Sequence, residues 1–537
     1  MYCDFMADYL ELGHMERIPD NEIEMPSDQR FYYPHHAVLR SESLTTKLRV
    51  VFDGSSKTET GVSLNDRLLV GPKITEDVPV VFSRFRTYVV AFTADAEKMY
   101  RQVKVRKEDA DYQRIVWSPE PGQPLEHYRL LTVTYGSSCA PYLAVESLRQ
   151  AGRDSQAQFP DAADRISKNF YVDDLLSGAN SLEEAVKLRN EIIQVTSAAG
   201  FTLRKWSSND PRLFNESAEA DAAVPLHLTP EADAVKALGI QWYPETDTFG
   251  YQLKMDLDKR NTKRQMLSDT ARLFDPLGWL APVIVRIKIL YQSLWLQDLL
   301  WDDPLPAAVE IEWNNIKADL QSIEKIRIPR WIPNHGGKVQ LLGFADASEA
   351  AYAAVVYARS TDQNGKVFVS LVASKTKVAP IQQVSLPRLE LNAAVLLTDL
   401  MKLLLQSLSH LEVTCFAWTD SEIVLGWLSS HPRKWKTYVA NRTSTILEFL
   451  PRSSWNHIAS GDNPADCASR GLYPKDLVEF NLWWKGPTWL YQADETWEHQ
   501  SVAEPPETVL IKFSWQSRKA TIRGPRSHSP AGEEGPI

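Results

Sequence analysis

The stretch NFYVDDLLSG sets two adjacent carboxylates, Asp173 and Asp174, between two apolar runs. Acids in that setting predict a hairpin turn that projects both side chains while the flanking strands stay buried. A third acid, Asp95, ends the apolar strand TYVVAFTAD and is followed by AEKMYRQVKV, which returns to extended alternation. Carboxylates supply the hard oxygens that Mg²⁺ takes. Two such ions about 3.5–4 Å apart serve an in-line displacement at phosphorus. Taken alone, an Asp-Asp pair is commonly no more than a turn signal; a third acid at a strand end makes the set informative.

Four further acids recur in the second half. Asp346 ends the strand VQLLGFAD, and Glu390 stands near the start of a long helix announced by Ser385 and Pro387. Asp420 follows EVTCFAWT, and Asp466 lies in NPADCASRG. Each has a purely structural explanation. Asp346 could start a turn, Glu390 could complement the helix dipole from the first turn, Asp420 could be an N-cap, and Asp466 could be a first-turn acid. Their order along the chain is what discriminates.

The elements that must position these residues form two α/β patterns. From Lys47 to about Phe214, strand-like runs (LRVVF, YVVAFTAD, RIVW, YRLLTVTY) alternate with helical periodicity over 137–152 and 181–199. Residues 236–254 predict a hairpin, with ALGIQWY and FGYQLKM flanking PETDT, and 261–325 predict helices. From 338 to about 475 the predicted order is three strands, a long helix over 387–408, a strand, two helices, a strand and a helix. After about 500 periodicity gives way to Pro, Gly and charge, which predicts a disordered tail.

A chain of 537 residues predicts two to four domains. The formal net charge of −10 argues against a protein that coats nucleic acid non-specifically, but not against a locally basic groove. Residues 84–107 hold seven Lys/Arg against two acids, the composition of such a groove or of a solvated face. Seventeen Trp fit large core residues or stacking surfaces. The four cysteines match no zinc spacing, and so few suggest a reducing compartment. The first residues carry no basic and apolar leader, and the longest apolar run, 277–285, is too short to span a bilayer.

The YVDD box with Asp95 upstream and TYGSSCAPY between them resembles a reverse transcriptase. The second set of acids, with its strand and helix order, resembles ribonuclease H. WTDSEIVLGWL, NPADCASRG, LFDPLGWLAP and NLWWKGPTWL together look like the Bel/Pao group of LTR retrotransposons, over about residues 1–495. The resemblance implies α/β and α+β domains. These are a right-hand polymerase with fingers and palm over 1–215, then a primer-grip hairpin and helical thumb or connection over 216–335. A ribonuclease H-like domain follows over 336–475, then a C-terminal extension over 476–537.

It implies that Asp95, Asp173 and Asp174 hold two metals in the polymerase, and that Asp346, Glu390, Asp420 and Asp466 hold two in the nuclease. The metal would be Mg²⁺, with Mn²⁺ as a substitute. Arg49 in KLRVVFDGSS would grip the triphosphate and Tyr100 would block a ribose 2′-hydroxyl. Tyr135 and Gly136 would meet the nucleotide and template, and Lys205 would protonate the leaving pyrophosphate; Tyr100 also reads as a core aromatic and Lys205 as a surface residue. LGIQW resembles the hairpin that grips the primer. His457, the histidine nearest the loop before the last helix, reads as structural.

The implied activity is RNA-directed DNA synthesis with ribonuclease H. Its partners would be an RNA template, a DNA primer, an RNA–DNA hybrid and deoxynucleoside triphosphates, with no membrane. A dimer or association with other polyprotein products, and a cytoplasmic virus-like particle or nuclear location, go with it. Two other readings stand beside it: a catalytically silent remnant that only binds nucleic acid, and an aspartic peptidase. The latter needs an Asp-Ser/Thr-Gly box, which Asp346-Ala347-Ser348 matches poorly. No protease box, zinc knuckle or integrase finger is found, which reads as a fragment of a longer polyprotein.

Overall fold

Runs of β-branched and aromatic residues buried on both faces become central strands, and the most buried of these sit at the middle of each sheet. The computed structural model describes residues 1–39, 48–118, 122–214, 234–253 and 260–492. It divides into two compact units, Met1–Gly250 with Arg327–Ile332, and Tyr251–Ile326 with Pro333–Ile537. The expected disordered tail beyond residue 500 lies outside the described residues. Among the described residues no helix is long and apolar enough to cross a membrane.

In the first unit a four-stranded antiparallel sheet runs in the order Phe170–Tyr171, Asp174–Ala179, Val90–Ala96, Leu203–Ser208. Helices Ala140–Asp154, Pro160–Asn169 and Leu182–Ala198 close its core, where Phe92, Ile166, Leu175, Ile192 and Trp206 meet. Ser181 caps the last of these by accepting from the Glu184 amide, as S-x-x-E spacing favours. A second cluster joins helix Tyr2–Glu11 to the sheet Met15–Arg17, Glu126–Leu130, Arg114–Trp117 and to the hairpin His35–Leu39/Leu48–Phe52.

The hairpin expected over 236–254 forms between Ile240–Tyr243 and Thr248–Gly250, and a further strand, Val235–Ala237, pairs with the first of these. Leu238 and Gly239, at φ +43° and +99°, turn the chain tightly inside LGIQW, so that motif is not one strand. Arg327–Pro329 adds a fourth strand. Arg330 fixes it: buried, it donates to both Asp247 carboxylate oxygens at 2.6 and 2.7 Å and to the Phe85 and Tyr88 carbonyls at 2.8 Å.

The second unit has a five-stranded mixed sheet in the order Val367–Val378, Ala351–Thr361, Lys338–Ala347, Glu412–Thr419, Trp455–His457. The first three strands are antiparallel and the last two join in parallel. Helix Leu386–Ser407 packs so closely on it that a Cβ at Gly343 would lie 2.5 Å from Leu397. The LFDPLGWLAP segment belongs to this unit. The Asp275 carboxylate accepts from the Trp279 and Leu280 amides, and the Trp279 indole donates to the Val372 carbonyl at 3.0 Å. That anchors helix Ala281–Ser293 to the same core as the sheet.

Candidate active sites

In the first unit, Tyr171 and Asp174 pair across a two-residue turn, so Val172 and Asp173 form the tip of a hairpin. Val172 sits at φ +57°, a conformation costly for a β-branched side chain and one that collects at functional turns. The neighbouring strand brings Asp95 directly opposite Asp174, and the Ala96 amide donates to the Asp173 carbonyl at 2.8 Å. Three carboxylates from two strands therefore share one end of the sheet.

Their crowding has an electrostatic signature. Burial, then the charges of Asp173 and Asp95, pushes Asp174 up to about 7. Burial and Asp95 also raise Asp173. Lys205 donates from Nζ to Asp95 Oδ2 at 2.7 Å, from a residue at φ +55° on the adjoining strand.

Two of the other expected residues, Tyr100 and Arg49, come within electrostatic reach of Asp173. Burial and the proximity of Asp173 raise the Tyr100 phenol. Arg49 is exposed on Leu48–Phe52, within electrostatic reach of Asp173 and Tyr135. Gly136 has φ +108°, and a Cβ there would fall 2.1 Å from the Phe52 carbonyl oxygen, so only glycine fits. Tyr135 packs against Phe52 with the rings tilted and their centroids 5.5 Å apart.

In the second unit, Asp346 and Asp420 lie at the same end of two parallel strands, because Ala345 is the register partner of Thr419. Burial, then Asp420 and Asp466, pushes Asp346 up to about 6. Burial, then Asp420 and Asp346, pushes Glu390 up to about 7. All four acids are thus brought together, Asp466 from helix Ala465–Arg470.

Two structural explanations for these acids fall. The N-cap of Glu422–Leu428 is Ser421, whose hydroxyl accepts from the Val424 amide, and not Asp420. Glu390 is the fifth residue of its helix, beyond the first turn where a carboxylate would face free amides. His457 lies on the short strand Trp455–His457, where the sequence placed it.

Sequence reasoning missed the residues that hold these carboxylates. Ser421 donates to Glu390, Ser469 donates to Asp346, and Ser460 donates to Asp420 Oδ2 at 2.6 Å. Arg470 donates to Asp466 at 2.5 Å, an i,i+4 pair whose spacing could have revealed it. The serines carry no such signal, being 31, 123 and 40 residues from their partners.

With these hydroxyls and Lys205 in place, no three His, Cys, Asp or Glu side chains among the described residues close to metal-ligating geometry. The donor set nevertheless fits a hard divalent cation. Every ligand candidate is a carboxylate, several resist ionising beside their neighbours, and Asp420 Oδ1 is buried without a hydrogen-bond partner.

Comparison with known proteins bears on both units. Residues 262–421 match the family described as Pao retrotransposon-like RNaseH-like domain. No curated protein matches the chain in sequence. Among solved structures, a foamy viral protease-reverse transcriptase dRH in complex with double-stranded DNA is 14% identical. Its alignment covers 84% of this chain and 68% of that one, with a TM-score of 0.52. A foamy viral protease-reverse transcriptase in complex with an RNA/DNA hybrid is 13% identical. There the alignment covers 85% of this chain and 52% of that one, with a TM-score of 0.53, so this chain spans about half its length. At such identity the likeness is one of fold. Residues 262–421 are thus similar to the Pao retrotransposon-like RNaseH-like domain family, and over most of its length the chain resembles the foamy viral protease-reverse transcriptases in fold.

Proposed function

We propose that the chain is an RNA-directed DNA polymerase with ribonuclease H activity from an LTR retrotransposon. It would copy RNA into DNA at the Asp95/Asp173/Asp174 cluster and cut the RNA of the hybrid at Asp346/Glu390/Asp420/Asp466. The observation that carries the reading is the cross-strand pairing of Asp95 with Asp174 at the tip of the YVDD hairpin. On this reading residues 1–215 are fingers and palm, 216–335 the primer grip and thumb or connection, and 336–475 the nuclease.

Divalent cations, Mg²⁺ or Mn²⁺, held by each set of carboxylates would supply charge neutralisation at the reacting phosphate. This chain's own groups do the rest. The Arg49 guanidinium orients the triphosphate. Tyr100 closes the space a ribose 2′-hydroxyl would need. Gly136 lets the backbone approach the template and nucleotide beside Tyr135. Lys205 delivers a proton to the leaving pyrophosphate. In the nuclease, Ser421 and Ser469 hold Glu390 and Asp346 in orientation.

The substrates are an RNA template, a DNA primer and deoxynucleoside triphosphates, then the RNA–DNA hybrid. The setting is a cytoplasmic virus-like particle or the nucleus, alongside other polyprotein products. Primer extension on an RNA template by the purified chain tests the reading. Asp173→Asn is expected to lose extension while hybrid cleavage persists. Equal extension by that variant overturns the polymerase assignment. Absence of both activities in the wild type, with hybrid binding retained, identifies a silent remnant.

A further inference from the structure

Arginines stacked on aromatic rings are common in this chain, and most of them are also ion-paired. Arg101, Arg114, Arg264, Arg286 and Arg330 each lie over a ring and each hold a carboxylate, respectively Asp8, Asp111, Asp302, Glu312 and Asp247. Arg388 and Arg442 differ. Both stack on the single ring of Tyr438, with Cζ 4.9 and 3.6 Å from its centroid, and among the described residues neither has an acidic partner. Two like charges sharing one ring without a carboxylate leave a local excess of positive charge in an acidic chain.

The pair is built rather than loose. Tyr438 donates its hydroxyl to Asn392 Oδ1 at 2.9 Å, and Arg442 Nε donates to the same oxygen at 2.7 Å. Arg442 Nη1 donates to the Tyr438 carbonyl at 3.1 Å, which leaves Nη2 uncommitted. All four side chains are half-buried. The cluster stands at the nuclease end of the sheet. Arg388 and Asn392 stand two positions before and after Glu390 on the same helix, on a different face of it. Tyr352, the register partner of the residue after Asp346, lies within electrostatic reach of Tyr438 and Arg442.

We propose that Arg388 and Arg442, oriented by Tyr438 and Asn392, form a phosphate-binding subsite that holds the sugar–phosphate backbone of the hybrid beside the nuclease acids. Guanidinium forks fixed by stacking match phosphate oxygens and lose little conformational freedom on binding. Because the acids themselves repel a polyanion, substrate must be drawn in by cations set apart from them, and among the described residues these two hold no carboxylate. The subsite rests on the ribonuclease H reading, and the test separates the two.

The full-length chain is titrated with a fluorescein-labelled RNA–DNA hybrid in EDTA at several salt concentrations, and hybrid cleavage is measured separately with Mg²⁺. Arg388→Ala/Arg442→Ala is expected to lower affinity about tenfold or more and to flatten the log–log salt slope by about 2, one phosphate contact for each arginine. Its KM for cleavage rises while the rate at saturation holds. Arg388→Lys/Arg442→Lys, which keeps charge but not the fork, retains the slope and recovers only part of the affinity.

Wild-type affinity and slope in the alanine double variant overturn the subsite. So does a loss of affinity with an unchanged slope, which assigns the arginines to packing. A wild-type chain that binds hybrid but does not cut it defeats the nuclease reading alone, and the slope still decides the arginines. A wild-type chain that does not bind hybrid defeats both.

Discussion

The two acid clusters are neutralised in different ways. In the first unit, Asp95 is covered by the ammonium of Lys205, a side chain about half exposed to solvent. In the second unit, three of the four acids are covered by serine hydroxyls, and among the described residues only Asp466 is ion-paired, to Arg470. A hydroxyl orients a carboxylate without cancelling its charge, whereas an ammonium cancels charge and can leave. The first cluster is therefore a site with a removable cation, and the second a site with fixed geometry and standing negative charge.

The largest test of that difference is to neutralise one acid in each cluster. Asp174→Asn is expected to lower primer extension by on the order of 10²–10³-fold while leaving hybrid cleavage intact, and Asp420→Asn the reverse. Gel assays of both reactions on both variants measure it. Cross-effects of similar size would show that the clusters do not work independently.

Next in size are two glycines that hold the scaffolds. A Cβ at Gly136 meets the Phe52 carbonyl at 2.1 Å, and one at Gly278 meets the Ser374 carbonyl at 2.1 Å, with both residues at positive φ. Alanine at either should cost about 1–3 kcal/mol of backbone strain, and more where the carbonyl cannot move. Gly136→Ala is expected to damage extension and Gly278→Ala cleavage, each seen with a lowered melting midpoint. Loss of both activities from either change would tie the two units more closely than their separate cores imply.

Smaller effects separate ammonium from hydroxyl. Lys205→Met should slow extension about tenfold yet lower the Mg²⁺ concentration for half-maximal rate, since the competing charge is gone. Ser421→Ala should slow cleavage by a similar factor, as loss of a hydrogen bond to a charged group implies, without lowering the Mg²⁺ requirement. Metal titrations that move in the same direction for both variants would erase the distinction.

How much of this was legible depends on how far apart the partners lie. The acids announced themselves because strand ends and the YVDD turn are local patterns, and the register of Asp95 with Asp174 follows from alternation within each strand. The RNase H-like element order was equally readable, from Lys338–Ala347 through Ala465–Arg470. What stayed hidden has no local pattern. Ser469 is an unremarkable helix residue until the fold brings it to Asp346. The tight turn at Leu238-Gly239 escaped notice because a leucine at positive φ contradicts its own propensity. The alternative of an N-cap at Asp420 fails because the next residue, Ser421, takes the cap.

The gentlest contrast between the units is their response to acid. His14 in the first unit accepts from Arg101 Nε at 2.8 Å, and burial, Arg101 and Lys98 together push it down to about 4, with Asp8 opposing. Its folded value lies below its unfolded one. The stability it contributes is present above about 6.5 and is lost as pH falls towards 4. Asp275 in the second unit is half-buried, and desolvation pushes it up to about 6 despite the amides of Trp279 and Leu280 and the Tyr251 hydroxyl. Its folded value lies above its unfolded one, so its contribution is greatest at low pH and is lost as pH rises from about 4 through 6. Between pH 4 and 6.5 the two groups therefore pull in opposite directions. Urea melts across that range, read by probes in each unit, should show the His14→Gln change flattening the acid-side loss of the first unit. Asp275→Asn should flatten the alkaline-side loss of the second. Slopes of the same sign in both units would mean that other titrating groups dominate, and that the half-buried carboxyl of the LFDPLGWLAP turn is ionised at little cost.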